Sequence, residues 1–336
     1  MTALEKQALD EQTMGERAPG ERVPGEPALG ETALGEAARG EPAPGERERP
    51  AAVPSRLPAP LALVRPGQWA KNILVVPLPL LGAAWQWEAA GRVLLAVGAF
   101  ILASALVYVI NDISDVERDR RHPVKRHRPL ASGRMSVRAA VVEAVTLAVL
   151  LTAAMVVLGS AAVWPLALYL AVNAAYSWKL KHFPLLDVFI VATGFVLRLL
   201  GGYEASGHPI AGWLVVTVLT LCLVLILGKR RHELGVSGTG HRPALAGYSA
   251  QFLDLVLVLC AGLTMVGYLL FLRSESGLAA GTLLTAPCAL FALFRYLQIV
   301  IVDNDGGNPV HALLKDRVMI ANSSLWAGLL LAFMVV

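Results

Sequence analysis

Residues 91–119 read GRVLLAVGAFILASALVYVINDISDVERD, an apolar run that delivers a cluster of carboxylates with no intervening loop. Roughly 20 apolar residues are what an α-helix needs to cross the hydrocarbon of a bilayer. Backbone polar groups find no water there, so a segment of this kind must be helical. The acids that follow, Asp112, Asp115 and Asp119, recur at i, i+3 and i+7, which places them on one face if the helix continues. Like charges so placed repel, and nothing in folding calls for them where a span meets the interface. A hard divalent cation does call for them, because Mg²⁺ takes oxygen ligands and usually bridges carboxylates to substrate phosphates. The competing structural reading is a solvated helix end whose acids pair with Arg118, Arg120 and Arg121.

Immediately downstream lies a basic loop, Arg121-His122-Pro123-Val124-Lys125-Arg126-His127-Arg128-Pro129. Arginine offers a planar fork to phosphate oxygens and lysine a point charge, so Lys125, Arg126 and Arg128 are candidates to neutralise a diphosphate. The plainer reading is a retention signal on the cytosolic side.

Further out, nine apolar stretches follow Pro66, near 69–87, 91–112, 138–159, 161–178, 184–204, 210–229, 251–272, 280–302 and 318–336. They predict an all-α bundle of nine membrane-spanning helices over residues 59–336, the first bent by Pro77 and Pro79. Placing the N-terminus inside collects 19 basic residues on one face and leaves Arg92 and Arg273 on the other. That asymmetry predicts a cytosolic N-terminus and a cytosolic aspartate cluster in an inner, plasma-membrane protein.

Composition agrees: 56% of the 336 residues are hydrophobic and 16% charged, too apolar for a soluble domain of this size. Residues 1–50 carry a net charge of −5 and the remainder +9, with the positive charge in short loops. Such placement suits anionic headgroups and phosphorylated substrates and argues against nucleic acid. From Gly15 to Glu46 the pair Gly-Glu recurs every five residues among Ala and Pro, so residues 1–58 are expected to form a disordered cytosolic tail. Cys222, Cys260 and Cys288 lie in apolar runs as core thiols, and no histidine spacing suits zinc.

A second polar cluster joins the fourth and fifth spans, Tyr176-Ser177-Trp178-Lys179-Leu180-Lys181, with Asp187 shortly after. Asp187 is a candidate for a second metal position. Arg198 follows three helical turns later on nearly the same face, and an ionisable group at that depth is a functional candidate. Its structural reading is an ion pair with Glu204. Past the sixth span, Lys229-Arg230 adds a third cationic group.

The run Asn111 to Asp119, followed by His122-Pro-x-Lys-Arg-x-Arg-Pro-x-Ala-Ser-Gly133, resembles the first aspartate-rich motif of the UbiA superfamily of intramembrane prenyltransferases. Within it, Arg65-Pro66-x-Gln68-Trp69-x-Lys71-Asn72, Tyr176-Ser-x-Lys-Leu-Lys181 and Gly228-Lys-Arg-x-x-Glu-Leu234 look like the decaprenyl-phosphate phosphoribosyltransferase branch. The resemblance implies helices around a central cavity and transfer of 5-phosphoribose from phosphoribosyl diphosphate to decaprenyl or another polyprenyl phosphate, as in cell-wall arabinan synthesis. It implies Mg²⁺ on Asp112, Asp115, Asp119 and Asp187. Substrate contacts would come from Lys71, Asn111, Lys125, Arg126, Arg128, Tyr176, Lys179, Lys181, Arg198, Lys229 and Arg230. Two departures are visible: Val191 stands where many prenyltransferases carry a second aspartate after Asp187, and Val310 stands where Glu is expected. The alternative is a prenyltransferase moving a prenyl group from its diphosphate to an aromatic or lipid acceptor.

Overall fold

The computed structural model describes residues 57–76, 87–237, 243–276, 281–308 and 315–335, and every regular element among them is helical. A short helix α1 (Ala59–Leu63) and a 3₁₀ segment (Pro66–Val75) lead into α2 (Trp87–Ser114) and α3 (Val116–Arg121). Then come α4 (Val137–Leu158), α5 (Ser160–Trp178), α6 (Leu186–Ser206), α7 (Gly212–Ser237), α8 (Ala250–Ser274), α9 (Thr282–Ile301) and α10 (Arg317–Val335).

The chain is an all-helical, multi-pass membrane protein. Among the described residues six helices, α2, α4 and α6 to α9, are long and apolar enough to cross a membrane, where nine spans were expected. Helices α5 and α10 are apolar and 19 residues each. The first expected span departs most: Pro66–Val75 is 3₁₀ rather than α, and 77–86, with Pro77 and Pro79, lie outside the described residues. So do residues 1–56, where most of the expected tail falls, and Val310.

Local chemistry sets the helix ends. Ser136 and Ser249 cap α4 and α8, their hydroxyls accepting from Ala139 N at 3.2 Å and Phe252 N at 3.1 Å. Gly207, at φ 72°, closes α6 in the left-handed conformation that a side chain disfavours.

Packing relies on small residues, as expected where lipid supplies no hydrophobic drive between helices. Buried Ala96, Ala99 and Ala103 let α2 approach its neighbours, and Phe100 meets Tyr169 of α5 edge-on at 5.7 Å. A 3₁₀ turn holds three residues, so Asn72 and Val75 fall in line on one buried edge of Pro66–Val75. That edge lies on α6, where a Cβ at Gly202 would collide with the Val75 carbonyl. On α4 the residues Val142, Val145, Val149 and Val156 are exposed, a surface that suits hydrocarbon.

Helix direction separates two ends. The start of α6, the C-terminal half of α7 and the residues before α8 are tied together by Asp187, Arg230 and Tyr248. The opposite ends of the same helices meet where Trp213 N donates to Glu275 at 2.9 Å.

Candidate functional site

Helix α2 stops at Ser114 and passes to α3 through Asp115, whose φ −101° and ψ 6° are not helical. Backbone bonds still bridge the break, from Asp115 N to Asn111 O at 2.9 Å and from Asp119 N to Asp115 O at 2.8 Å. Asp112 and Asp119 turn inward, each 2% exposed, whereas Asp115 pairs with Arg118 at 3.0 Å near the surface. Two of the three acids are thus buried, and the third is more exposed.

Between the inward pair stands Arg128. Its Nη1 donates to Asp112 Oδ1 at 3.0 Å and to Asp119 Oδ2 at 2.7 Å. Arg65 adds a bond to Asp112 Oδ1 at 2.5 Å, with its guanidinium 4.7 Å above the Tyr108 ring. Two buried carboxylates thus already hold a cationic group between them. Hard oxygen donors in this number fit Mg²⁺, which commonly takes one or two carboxylates and fills its shell with phosphate and water oxygens. Among the described residues no three His, Cys, Asp or Glu side chains converge on one metal position. The four-aspartate set is accordingly not assembled here.

Asp187, fully buried, belongs to a separate network. Arg230 Nε donates to its Oδ2 at 2.8 Å and the Tyr248 hydroxyl to its Oδ1 at 2.7 Å. Tyr248 in turn accepts from Leu185 N at 2.6 Å, and Arg230 Nη1 donates to Glu233 at 2.7 Å. Burial pushes the Tyr248 hydroxyl up, so it remains a donor at neutral pH. Lys229 is exposed beside Glu233, and Tyr176 lies within electrostatic reach of Arg230.

Arg198 is the third centre. It donates to Asn72 Oδ1 at 2.8 Å, Gly194 O at 2.9 Å, Ser104 Oγ at 3.0 Å and the Tyr169 hydroxyl at 2.9 Å. Each of these partners is neutral, and the Tyr169 ring lies 4.6 Å away. The Glu204 carboxylate, the partner of the structural reading, accepts instead from Trp164 Nε1 at 3.0 Å. A buried cation held only by dipoles keeps its positive field available to an anion. Lys71, solvent-accessible on the 3₁₀ segment, joins the three centres, being within electrostatic reach of Arg198, Lys229 and Arg65.

Lys125, Arg126, Lys179 and Lys181 lie in the loops around these networks, partly buried or exposed, and Asn111 is half-buried beside Asp112. Sequence reasoning did not single out Arg65, Asn72, Tyr248 or Glu233. Arg65 and Asn72 sit in the motif that opens the body, so their spacing carried a signal. Tyr248 carried none, because only the tertiary fold brings the segment ahead of α8 to Asp187.

Among the described residues three non-glycine residues adopt positive φ: Arg65 at 52°, Leu185 at 63° and Asn304 at 52°. Arg65 bonds Asp112, Leu185 leads into Asp187, and the Asn304 carbonyl meets His232 Nδ1 at 2.5 Å on the last turns of α7. Backbone strain of this kind collects at functional sites.

The chain is 33% identical over 316 residues to the decaprenyl-phosphate phosphoribosyltransferase of Mycolicibacterium smegmatis, covering 84% of this chain and 95% of the relative. It is 32% identical over 275 residues to the protein of that name from Mycobacterium tuberculosis, covering 78% and 90%. Among solved structures, a UbiA homolog from Archaeoglobus fulgidus bound to DMAPP and Mg²⁺ superimposes with a TM-score of 0.60 at 18% identity, over 82% of this chain and 97% of that one. Residues 73–311, from the 3₁₀ segment to beyond α9, match the UbiA prenyltransferase family, and the chain belongs to it.

Proposed function

We propose that the protein transfers 5-phosphoribose from phosphoribosyl diphosphate to decaprenyl phosphate, or a closely similar polyprenyl phosphate, releasing diphosphate. The names of the relatives support this donor and acceptor, and a role in supplying cell-wall arabinan precursors goes with them. The observation that carries the reading is the Asp112–Arg128–Asp119 arrangement: paired buried carboxylates around a cationic position, with Arg65 and Lys71 alongside.

In this reading Asp112 and Asp119 would hold Mg²⁺, with Asp115 close by, and the ion would supply charge neutralisation for the diphosphate. Arg128 and Arg65 leave the carboxylates for phosphate oxygens, and Lys125, Arg126, Lys179, Lys181 and Lys229 line the rim. Tyr176 and Asn111 orient the donor. Asp187 fixes Arg230 rather than taking a second metal.

The bond from ribose C1 to the diphosphate oxygen breaks and a bond from C1 to a lipid phosphate oxygen forms. Because that oxygen is already anionic, no strong general base is needed. Positioning and charge stabilisation supply the rate. Arg198 and Lys71 extend the positive field toward the acceptor phosphate. Nine spans with the aspartates on the cytosolic side of the plasma membrane complete the reading, supported by the basic loops.

Membranes given labelled phosphoribosyl diphosphate or labelled prenyl diphosphate test it. Label entering polyprenyl phosphate from the first donor alone is the expected result. Label entering an acceptor from the prenyl donor alone overturns it.

A further inference from the structure

Ser104, Tyr108 and Asp112 recur at i, i+4 and i+8, so they form one ladder along α2, about 12 Å from first rung to last. The outer rungs are engaged. Ser104 Oγ accepts from Arg198 Nη2 at 3.0 Å, and Asp112 Oδ1 accepts from Arg65 and Arg128.

The middle rung is different. The Tyr108 ring lies under the Arg65 guanidinium at 4.7 Å, and the side chain is within electrostatic reach of Arg198 and Tyr169 as well. It therefore stands between the two cationic centres. The Tyr169 hydroxyl nearby is taken up by Arg198 and Ser104. Among the described residues, however, the Tyr108 hydroxyl has no hydrogen-bond partner. Unlike the Tyr203 hydroxyl it is not shut off from solvent, and Tyr108 as a whole is half-buried. A phenol can donate one hydrogen bond and accept another, so this one is available to whatever occupies the space in front of it.

The flanking charges say what that is. Guanidinium groups at both ends of the ladder attract anions, and a group held between two anions is what a transfer between phosphates requires. In the reaction proposed above, diphosphate leaves from one side of ribose C1 and the lipid phosphate arrives on the other. The pentose itself then faces the middle rung. Ribose brings hydroxyls at C2 and C3, whereas a prenyl group brings none.

We propose that Tyr108 is a specificity-determining residue whose hydroxyl bonds a ribose hydroxyl of the donor while its ring carries Arg65. This inference rests on the transfer reaction proposed above. A site built to bond a substrate hydroxyl discriminates against an analogue that lacks it, so the same contact disfavours a prenyl donor.

Steady-state turnover of the purified full chain is measured with phosphoribosyl diphosphate and with donors lacking the hydroxyl at ribose C2 or at C3. Tyr108→Phe, which keeps the ring under Arg65, is compared with the unaltered enzyme. It is expected to lower kcat/KM for phosphoribosyl diphosphate roughly three- to tenfold, the loss of about one hydrogen bond. The KM for polyprenyl phosphate should stay within about twofold, which a general loss of folded enzyme or of site geometry would not allow. With one of the two deoxy donors Tyr108→Phe should cost nothing further, because the bond is already missing. Equal loss on all three donors overturns the proposal, as does full activity of Tyr108→Phe on phosphoribosyl diphosphate. If that variant does not fold, the unaltered enzyme decides: both deoxy donors serving as well as phosphoribosyl diphosphate overturns it. Each of these results leaves the transfer reaction standing, whereas turnover of prenyl diphosphate in place of phosphoribosyl diphosphate removes both.

Discussion

Asp112 and Asp187 are both buried aspartates bound to arginine, yet their surroundings differ in kind. The arginines on Asp112, Arg65 and Arg128, keep 29% and 30% of their side chains exposed, whereas Arg230 on Asp187 keeps 5%. A guanidinium open to water can leave its carboxylate for another anion at modest cost. One sealed against Tyr248 and Glu233 cannot, because either partner alone would be an uncompensated buried charge. One cluster is therefore built to exchange partners and the other to hold the helices that carry it.

Five substitutions press on that contrast. Asp112→Asn is expected to lower transfer at least roughly 100-fold, the scale of losing one group that stabilises developing charge. Its detergent-solubilised fold should be retained, as read by labelled-donor turnover beside thermal unfolding; near-normal turnover would erase the distinction. Asp187→Ala is expected to cost about 1–3 kcal/mol of stability, because Arg230 keeps Glu233 but loses one buried carboxylate and the Tyr248 hydroxyl loses its acceptor. Adding Arg230→Met should recover much of it, and no recovery in the double variant would mean that the pair is not the unit. Gly202→Val forces the 3₁₀ segment off α6 and is expected to cost about 1–3 kcal/mol. It should also reduce turnover by shifting Asn72 and Lys71, so unfolding and turnover are measured together. Arg118→Ala removes an exposed pair with Asp115 and is expected to change stability by no more than about 0.5 kcal/mol and to leave turnover nearly intact.

Much of the architecture was legible because bilayer physics leaves a chain few choices. Apolar runs near 91–112, 138–159 and 251–272 had to be helices, and they are. The aspartate spacing predicted three acids on one face, whereas two are buried against Arg128 and Asp115, at the break between α2 and α3, is more exposed and pairs with Arg118. Arg198 was readable as buried, while its neutral partners come from 94 to 126 residues away and one 29 away, which no local pattern reports. The 3₁₀ stretch at Pro66–Val75 was misread as ordinary helix because apolar content says nothing about winding. The contact at Gly202 that makes room for it lies 127 residues downstream of Val75.

Leu185 has a consequence of its own. A leucine at φ 63° lacks the easy alternatives that glycine enjoys, and such a conformation costs on the order of 1–3 kcal/mol. The loop ahead of α6 has thus exchanged stability for stiffness, presenting its amide to Tyr248 in one fixed direction. Glycine at 185 would relax that turn and let the phenol drift, giving a more forgiving chain with a looser grip on the arginine behind it.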